Sequence, residues 1–172
     1  MDPLIEIGQP APDFELPDLE GVVHRLEGTQ GRVLVLNFWS AECPWAKRGD
    51  EILADLAPTW GDRVELWSIT ANANETDEQL ALAAAVRELG LVLRDAEHAV
   101  ADLYEAVTTP HFFVIDENGV LRYRGAPDDT SFRQSEPTVH YLKGAVEALL
   151  NNRELNPAET AGYGCTIIRH AL

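Results

Sequence analysis

Residues 33–47 read VLVLNFWSAECPWAK, and this order of residue types sets the fold. Val33 to Trp39 is an unbroken apolar, β-favouring run, the pattern of a strand buried on both faces. Cys43 follows shortly after, with Pro44 next to it. Proline is favoured at the first helical position because its missing N–H would be unpaired there anyway. Cys43 is therefore expected at or beside a helix N-cap. Free N–H groups and the helix dipole favour an anion at that place, and a thiolate is such an anion. Lys47 and Arg48 assist; Glu42 opposes. The plainer alternative for Cys43 is a small apolar residue at a strand end. Pro44 opens a helical stretch to Trp60, with Gly49 expected to interrupt it.

Outward from this segment, strands and helices alternate. RVELWSIT (63–70) reads as a second inner strand, and Thr76 to Leu89 as a helix with acidic residues near its start and Gly90 at its end. A short LVL and a helix over 96–106 follow. His111 to Asp116 is a strand, and Asn118-Gly119 turns it into a hairpin with Val120 to Gly125. Thr138 to Asn151 is the last helix, and residues 153–172 form an extended tail. An N-terminal PDFELPDLEGVVHRL reads as a further hairpin turning at Glu20-Gly21. The expectation is an α/β domain whose central mixed sheet is flanked by helices. Pattern alone leaves several α/β folds open.

The chain has 172 residues, which suits one domain spanning 1–172. A formal net charge of −16 repels phosphate backbones and anionic lipid, so neither nucleic acid nor membrane is an expected partner. No apolar run approaches the ~18 residues of a membrane span. The first residues show no export pattern, so a cytoplasmic setting is expected. There are two cysteines, Cys43 and Cys165. In a reducing compartment, functional thiols are a better default for them than a structural disulfide. Two isolated cysteines and scattered histidines give no metal-ligand spacing, and no phosphate-binding glycine motif is present. No metal or cofactor is therefore expected.

The 33–47 segment resembles the active-site region of the thioredoxin superfamily, and in particular the peroxiredoxin-like redoxins of the alkyl hydroperoxide reductase/thiol-specific antioxidant family. IGQPAPDFELPDLEG is similar to that family's N-terminal hairpin, TTPHFFVIDENGVLRYRG to its proline loop and closing hairpin, and GYGCTIIR to the cysteine-bearing C-terminus of one subgroup. The resemblance implies a thioredoxin-like fold with Cys43 as nucleophile. It implies that Pro110, after Thr109, is the cis-proline facing that cysteine, and that Ser40 lies where a hydroxyl contacts peroxide. It places Asn37 where thioredoxins keep a buried acid. Cys165 is implied as a resolving partner of Cys43; as a residue alone it reads equally well as a buried thiol. Pro44, Trp45 and Thr109 join the substrate-binding set. The implied partners are a disulfide or peroxide substrate and an external thiol reductant, thioredoxin or a small thiol. A homodimer stays open.

The departures from the family pattern matter as much. Ala46 stands where the second cysteine of CxxC would be, so no local disulfide forms. Leu36 replaces the proline of the peroxidatic motif, and Pro110 takes the place of the arginine that polarises peroxide. Both work against efficient peroxide reduction. His111 either approaches the site or points away. Asp128 and Asp129 read as a solvated turn. Two functions follow: a thiol-dependent oxidoreductase, or a degenerate module whose Cys43 pocket and Pro110 loop grip an extended peptide without turnover.

Overall fold

The computed structural model describes residues 5–170. A hairpin of β1 (Glu15–Pro17) and β2 (Val23–Arg25) precedes β3 (Val33–Phe38). Then come α1 (Pro44–Trp60), β4 (Val64–Thr70), α2 (Asp77–Val86), β5 (Leu91–Arg94) and α3 (Ala99–Leu103). The closing half is β6 (Thr108–Thr109), β7 (His111–Ile115), β8 (Leu121–Gly125), α4 (Tyr141–Leu150) and β9 (Cys165–Thr166).

The main sheet has the order β5-β4-β3-β7-β8, parallel from β5 to β3 and antiparallel from β3 to β8. It is the mixed sheet expected, with β3 at its centre. All six residues of β3 are buried, and their alternation feeds two cores. Leu34, Leu36 and Phe38 pack with Ile69, Tyr104 and Phe113 on one face. Val33 and Val35 meet Leu53 and Trp60 of α1 and Leu142 of α4 on the other. A strand buried at every position, here with only Asn37 polar, is stable only when both faces of the sheet are covered.

All four helices differ from the sequence reading, and α2 ends at Val86, three residues before Leu89. Helix α1 runs through Gly49 without a break; Gly49 lies against the Pro110 ring and Phe112, where a methyl would sit at ordinary contact distance, 3.4–3.5 Å. Helix α3 is five residues instead of eleven. Asp95 caps it by accepting from Ala101 N–H at 2.8 Å, and the chain turns left-handed at Glu105. Helix α4 starts at Tyr141 because Asp129 takes the Thr138 and Val139 N–H groups, which fixes a loop ahead of it.

Candidate active site

Cys43 is the N-cap of α1, extended at φ −83° and ψ 121°, with Pro44 at the first helical position. Its carbonyl accepts from Lys47 N–H at 3.0 Å. The buried β3 delivers the chain to this point, and the residue itself is only 4% exposed. Its sulfur is bonded to that of Cys165, 122 residues later, with a Cα–Cα distance of 6.2 Å. This lies inside the roughly 4.4–6.8 Å range that such bonds need. Cys43 Sγ also sits 3.2 Å from the Thr109 carbonyl oxygen, a contact that becomes a hydrogen bond only when the thiol is reduced and carries a proton. The peptide bond between Thr109 and Pro110 is cis.

The tail reaches Cys43 as a strand. Thr109 pairs with Cys165 and Thr108 with Thr166 in an antiparallel β6–β9 ladder. Ile167 extends it by donating to Val107 O at 3.1 Å while its side chain enters the core. Beyond it, Arg169 pairs with Asp102 at 2.9 Å, and His170 N–H donates to His98 Nε2 at 3.1 Å. On the near side, Thr160 bonds Tyr123 and Ala126, and Tyr163 packs edge-on against Trp45 at 4.9 Å. Two glycines permit the approach. A methyl at Gly164 would overlap the Thr109 carbonyl, and one at Gly162 would come within 2.7 Å of Thr108 Oγ1. The tail fills the groove beside Pro110, leaving about 10 Å³ between Trp45, Arg48, Pro110 and Tyr163.

Polar contacts on the other side fix the turn from β3 to Cys43. Ser40 donates its hydroxyl proton to Glu75, and Ala41 N–H donates to the same carboxylate at 3.1 Å. Arg87 donates to Ala41 O at 2.5 Å and to Asp50 at 3.0 Å. Trp39 Nε1 donates to that aspartate at 2.7 Å. Burial pushes the Asp50 carboxyl up, and the Trp39 and Arg87 hydrogen bonds oppose the shift. With its hydroxyl proton committed to Glu75 and the residue only 3% exposed, Ser40 would have to break that bond to donate to a peroxide. Glu75 and Asn72 were missed in the sequence because Glu75 opens the acidic run ETDE, which reads as a helix start. That start is real: Thr76 and Gln79 form a capping box on α2.

Asn37 is buried in β3, with neither side-chain polar atom paired among the described residues. His111 Nδ1 accepts from Val107 N–H at 3.4 Å. Burial, with the Arg124 charge adding to it, pushes its imidazole down to about 4. Of the pair expected in a solvated turn, Asp129 is partly exposed and Asp128 is not. Asp128 is buried and takes both terminal nitrogens of Arg48, at 3.2 and 2.6 Å. Thr138 and Val139 hold Asp129 well below the usual carboxylate range. Among the described residues no group of three or more His, Cys, Asp or Glu side chains is placed to hold a metal ion, and no helix is long and apolar enough to cross a membrane.

The AhpC/TSA family profile matches residues 7–124, so α4 and the tail with Cys165 lie beyond the match. The thiol-disulfide oxidoreductase ResA of Geobacillus kaustophilus is 30% identical over 122 residues, 69% of this chain and 68% of that protein. The crystal structure of a hypothetical protein, SMc02350 of Sinorhizobium meliloti, superposes with a TM-score of 0.87 at 30% identity. It covers 98% of this chain and 97% of its own. Peroxidoxin BcpB of Mycobacterium tuberculosis superposes at 0.60 with 26% identity, over 70% of this chain and 84% of its own.

Proposed function

The chain belongs to the AhpC/TSA family, and we propose that within it this protein is a thiol-disulfide oxidoreductase cycling between a Cys43/Cys165 dithiol and their disulfide. The single observation that carries the proposal is the bond between these two residues at the start of α1. In the oxidising direction, the Cys43 thiolate attacks a substrate disulfide R–S–S–R′, forms Cys43–S–S–R and releases R′S⁻. The Cys165 thiolate then attacks the Cys43 sulfur, closes the internal disulfide and releases RS⁻. Two electrons leave the protein pair and reduce the substrate. An external dithiol, or two equivalents of a small thiol, restores the reduced form. Helix α1 lowers the energy of the Cys43 thiolate in both directions.

Peroxide is the second oxidant this pair supports. It would convert Cys43 to a sulfenic acid that Cys165 resolves with loss of water. The engagement of Ser40 by Glu75, together with Pro110 at the arginine position, favours disulfides over peroxide. The binding-module reading is disfavoured by the tail itself, which occupies the β6 edge where an extended peptide would lie. Reduced protein is to be mixed with glutathione disulfide or hydrogen peroxide and followed by quench-flow alkylation. We expect both reagents to yield the Cys43–Cys165 bond, with glutathione disulfide consumed catalytically in the presence of a dithiol. A protein whose cysteines react with neither reagent would refute the oxidoreductase reading.

A further inference from the structure

Glu75 lies just before the N-cap of α2 and is buried, yet no cation pairs with its carboxylate among the described residues. Its oxygens accept instead from three groups. Oε1 takes the Ser40 hydroxyl and the Asn72 Nδ2–H at 3.1 Å, and Oε2 takes the Ala41 N–H at 3.1 Å. Ser40 and Ala41 form the turn that leads into Cys43. Asn72 points its other polar atom the opposite way: Oδ1 accepts from Ile168 N–H at 2.8 Å. Next to it, Ala73 N–H donates to Ile168 O at 2.7 Å. Ile168 stands three residues after Cys165. One carboxylate and one amide therefore connect the segment carrying Cys43 to the segment carrying Cys165.

The choice of side chains fits that task. An ionised carboxylate only accepts, so three donors converge on it without conflict, and its charge strengthens each bond. The Asn72 amide both donates and accepts, so it can bridge a carboxylate on one side and a backbone N–H on the other. We infer that Glu75, acting through Asn72, is a positioning residue for the Cys43–Cys165 couple, holding the turn before Cys43 and the tail strand in one register. It thereby sets the effective concentration of one thiol at the other. The inference rests on the exchange reading above and adds to it a residue that contacts neither sulfur.

The test is the equilibrium constant of the internal disulfide against glutathione, read by acid quench, alkylation and mass spectrometry. Wild type is compared with Glu75→Gln, Asn72→Ala and Thr76→Ala. Glutamine has one accepting atom where glutamate has two, so in either orientation its NH2 faces a donor, the Ala41 N–H or the Asn72 N–H, and one arm of the bridge is lost; Asn72→Ala removes the connection to Ile168. Each is expected to lower the constant about tenfold. Thr76→Ala removes the adjacent helix cap without touching the bridge, and is expected to lower the melting temperature while leaving the constant within about twofold of wild type. Folded Glu75→Gln and Asn72→Ala proteins with an unchanged constant would overturn the inference, as would a Thr76→Ala effect of equal size. If Glu75→Gln does not fold, Asn72→Ala decides. A wild-type protein that does not interconvert with glutathione would instead overturn the exchange reading, and this inference with it.

Discussion

Cys165 is paired with Thr109 across the β6–β9 ladder, and the carbonyl oxygen of that same Thr109 lies 3.2 Å from Cys43 Sγ. The backbone that accepts the tail as a strand is thus also the backbone against which Cys43 rests. Docking of the tail and juxtaposition of the sulfurs are one geometric event. The tail is held on both sides of Cys165, by Thr160 and Tyr163 before it and by Ile167 to His170 after it. Reduction alone therefore leaves Cys165 close to its partner.

Mild peroxide treatment of the reduced protein is expected to yield an intramolecular Cys43–Cys165 crosslink. Non-reducing electrophoresis and peptide mass mapping check it. The bond spans 122 residues, and the chain-entropy argument for a loop of that length gives about 4–5 kcal/mol of stabilisation. At ~2–4 °C per kcal/mol for a chain of this size, the oxidised protein should melt at least ~8 °C above the reduced one. A stable Cys43 sulfenic acid beside a free Cys165 would refute the pairing.

The proposed exchange also fixes which sulfur a reductant meets. Run in reverse, its last step has an incoming thiolate attack the Cys43 sulfur and expel the Cys165 thiolate. Brief treatment of oxidised protein with glutathione and excess iodoacetamide should therefore give glutathione on Cys43 and the alkyl group on Cys165. The opposite labelling would show that Cys165, the less buried residue of the two, takes the attack and that the exchange runs through a mixed disulfide on the tail.

Gly164→Ala should weaken tail docking, because the added methyl collides with the Thr109 carbonyl. Overpacking of this kind typically costs about 1–3 kcal/mol, so the glutathione equilibrium constant should fall at least about fivefold. Ala161, outside the close approaches made by Gly162 and Gly164, offers the control: Ala161→Ser should leave the constant unchanged.

Much of this arrangement was legible in residues 33–47. A strand apolar at every position but Asn37, a cysteine and a proline at a helix start are local signals, and each has a local physical cause. The central strand and the N-cap position of Cys43 followed from them, as the β7–β8 hairpin followed from Asn118-Gly119. What was not legible depends on tertiary partners. Gly49 looked like a helix break because its neighbour, Pro110, is 61 positions away along the chain. Glu75 looked like one acid in an acidic run because its donors come from β3's exit turn and the loop after β4. Asp128 looked solvated because Arg48 reaches it from α1. Charged and small residues have the same local appearance on a surface as in a buried contact, and only the fold distinguishes the two.

His111 supplies a pH dependence that can be checked. It is buried beside the tail, its Nδ1 accepts from Val107 N–H, and burial pushes its imidazole down to about 4. An accepting Nδ1 requires the neutral ring, so protonation costs both desolvation and that hydrogen bond. In the unfolded chain the same ring titrates near 6.5. Between about pH 6.5 and pH 4 the unfolded state therefore binds more protons than the folded state, and stability must rise with pH across that window. The contribution is fully present above about pH 6.5 and is lost as the pH falls toward 4, amounting to roughly 2–4 kcal/mol over the whole span. Urea unfolding of the oxidised protein at pH 7.0, 5.5 and 4.5 should show this decline, in steps of at most about 1.4 kcal/mol per pH unit from this group. His111→Gln, whose side-chain oxygen can accept from Val107 N–H but does not titrate, should flatten the slope within that window while leaving the Cys43–Cys165 bond formed at pH 7. An unchanged slope in His111→Gln would assign the acid sensitivity to another group, with the buried Asp50 and Asp95 carboxyls excluded by sign: burial raises both, so their folded forms take up protons more readily and favour stability as the pH falls.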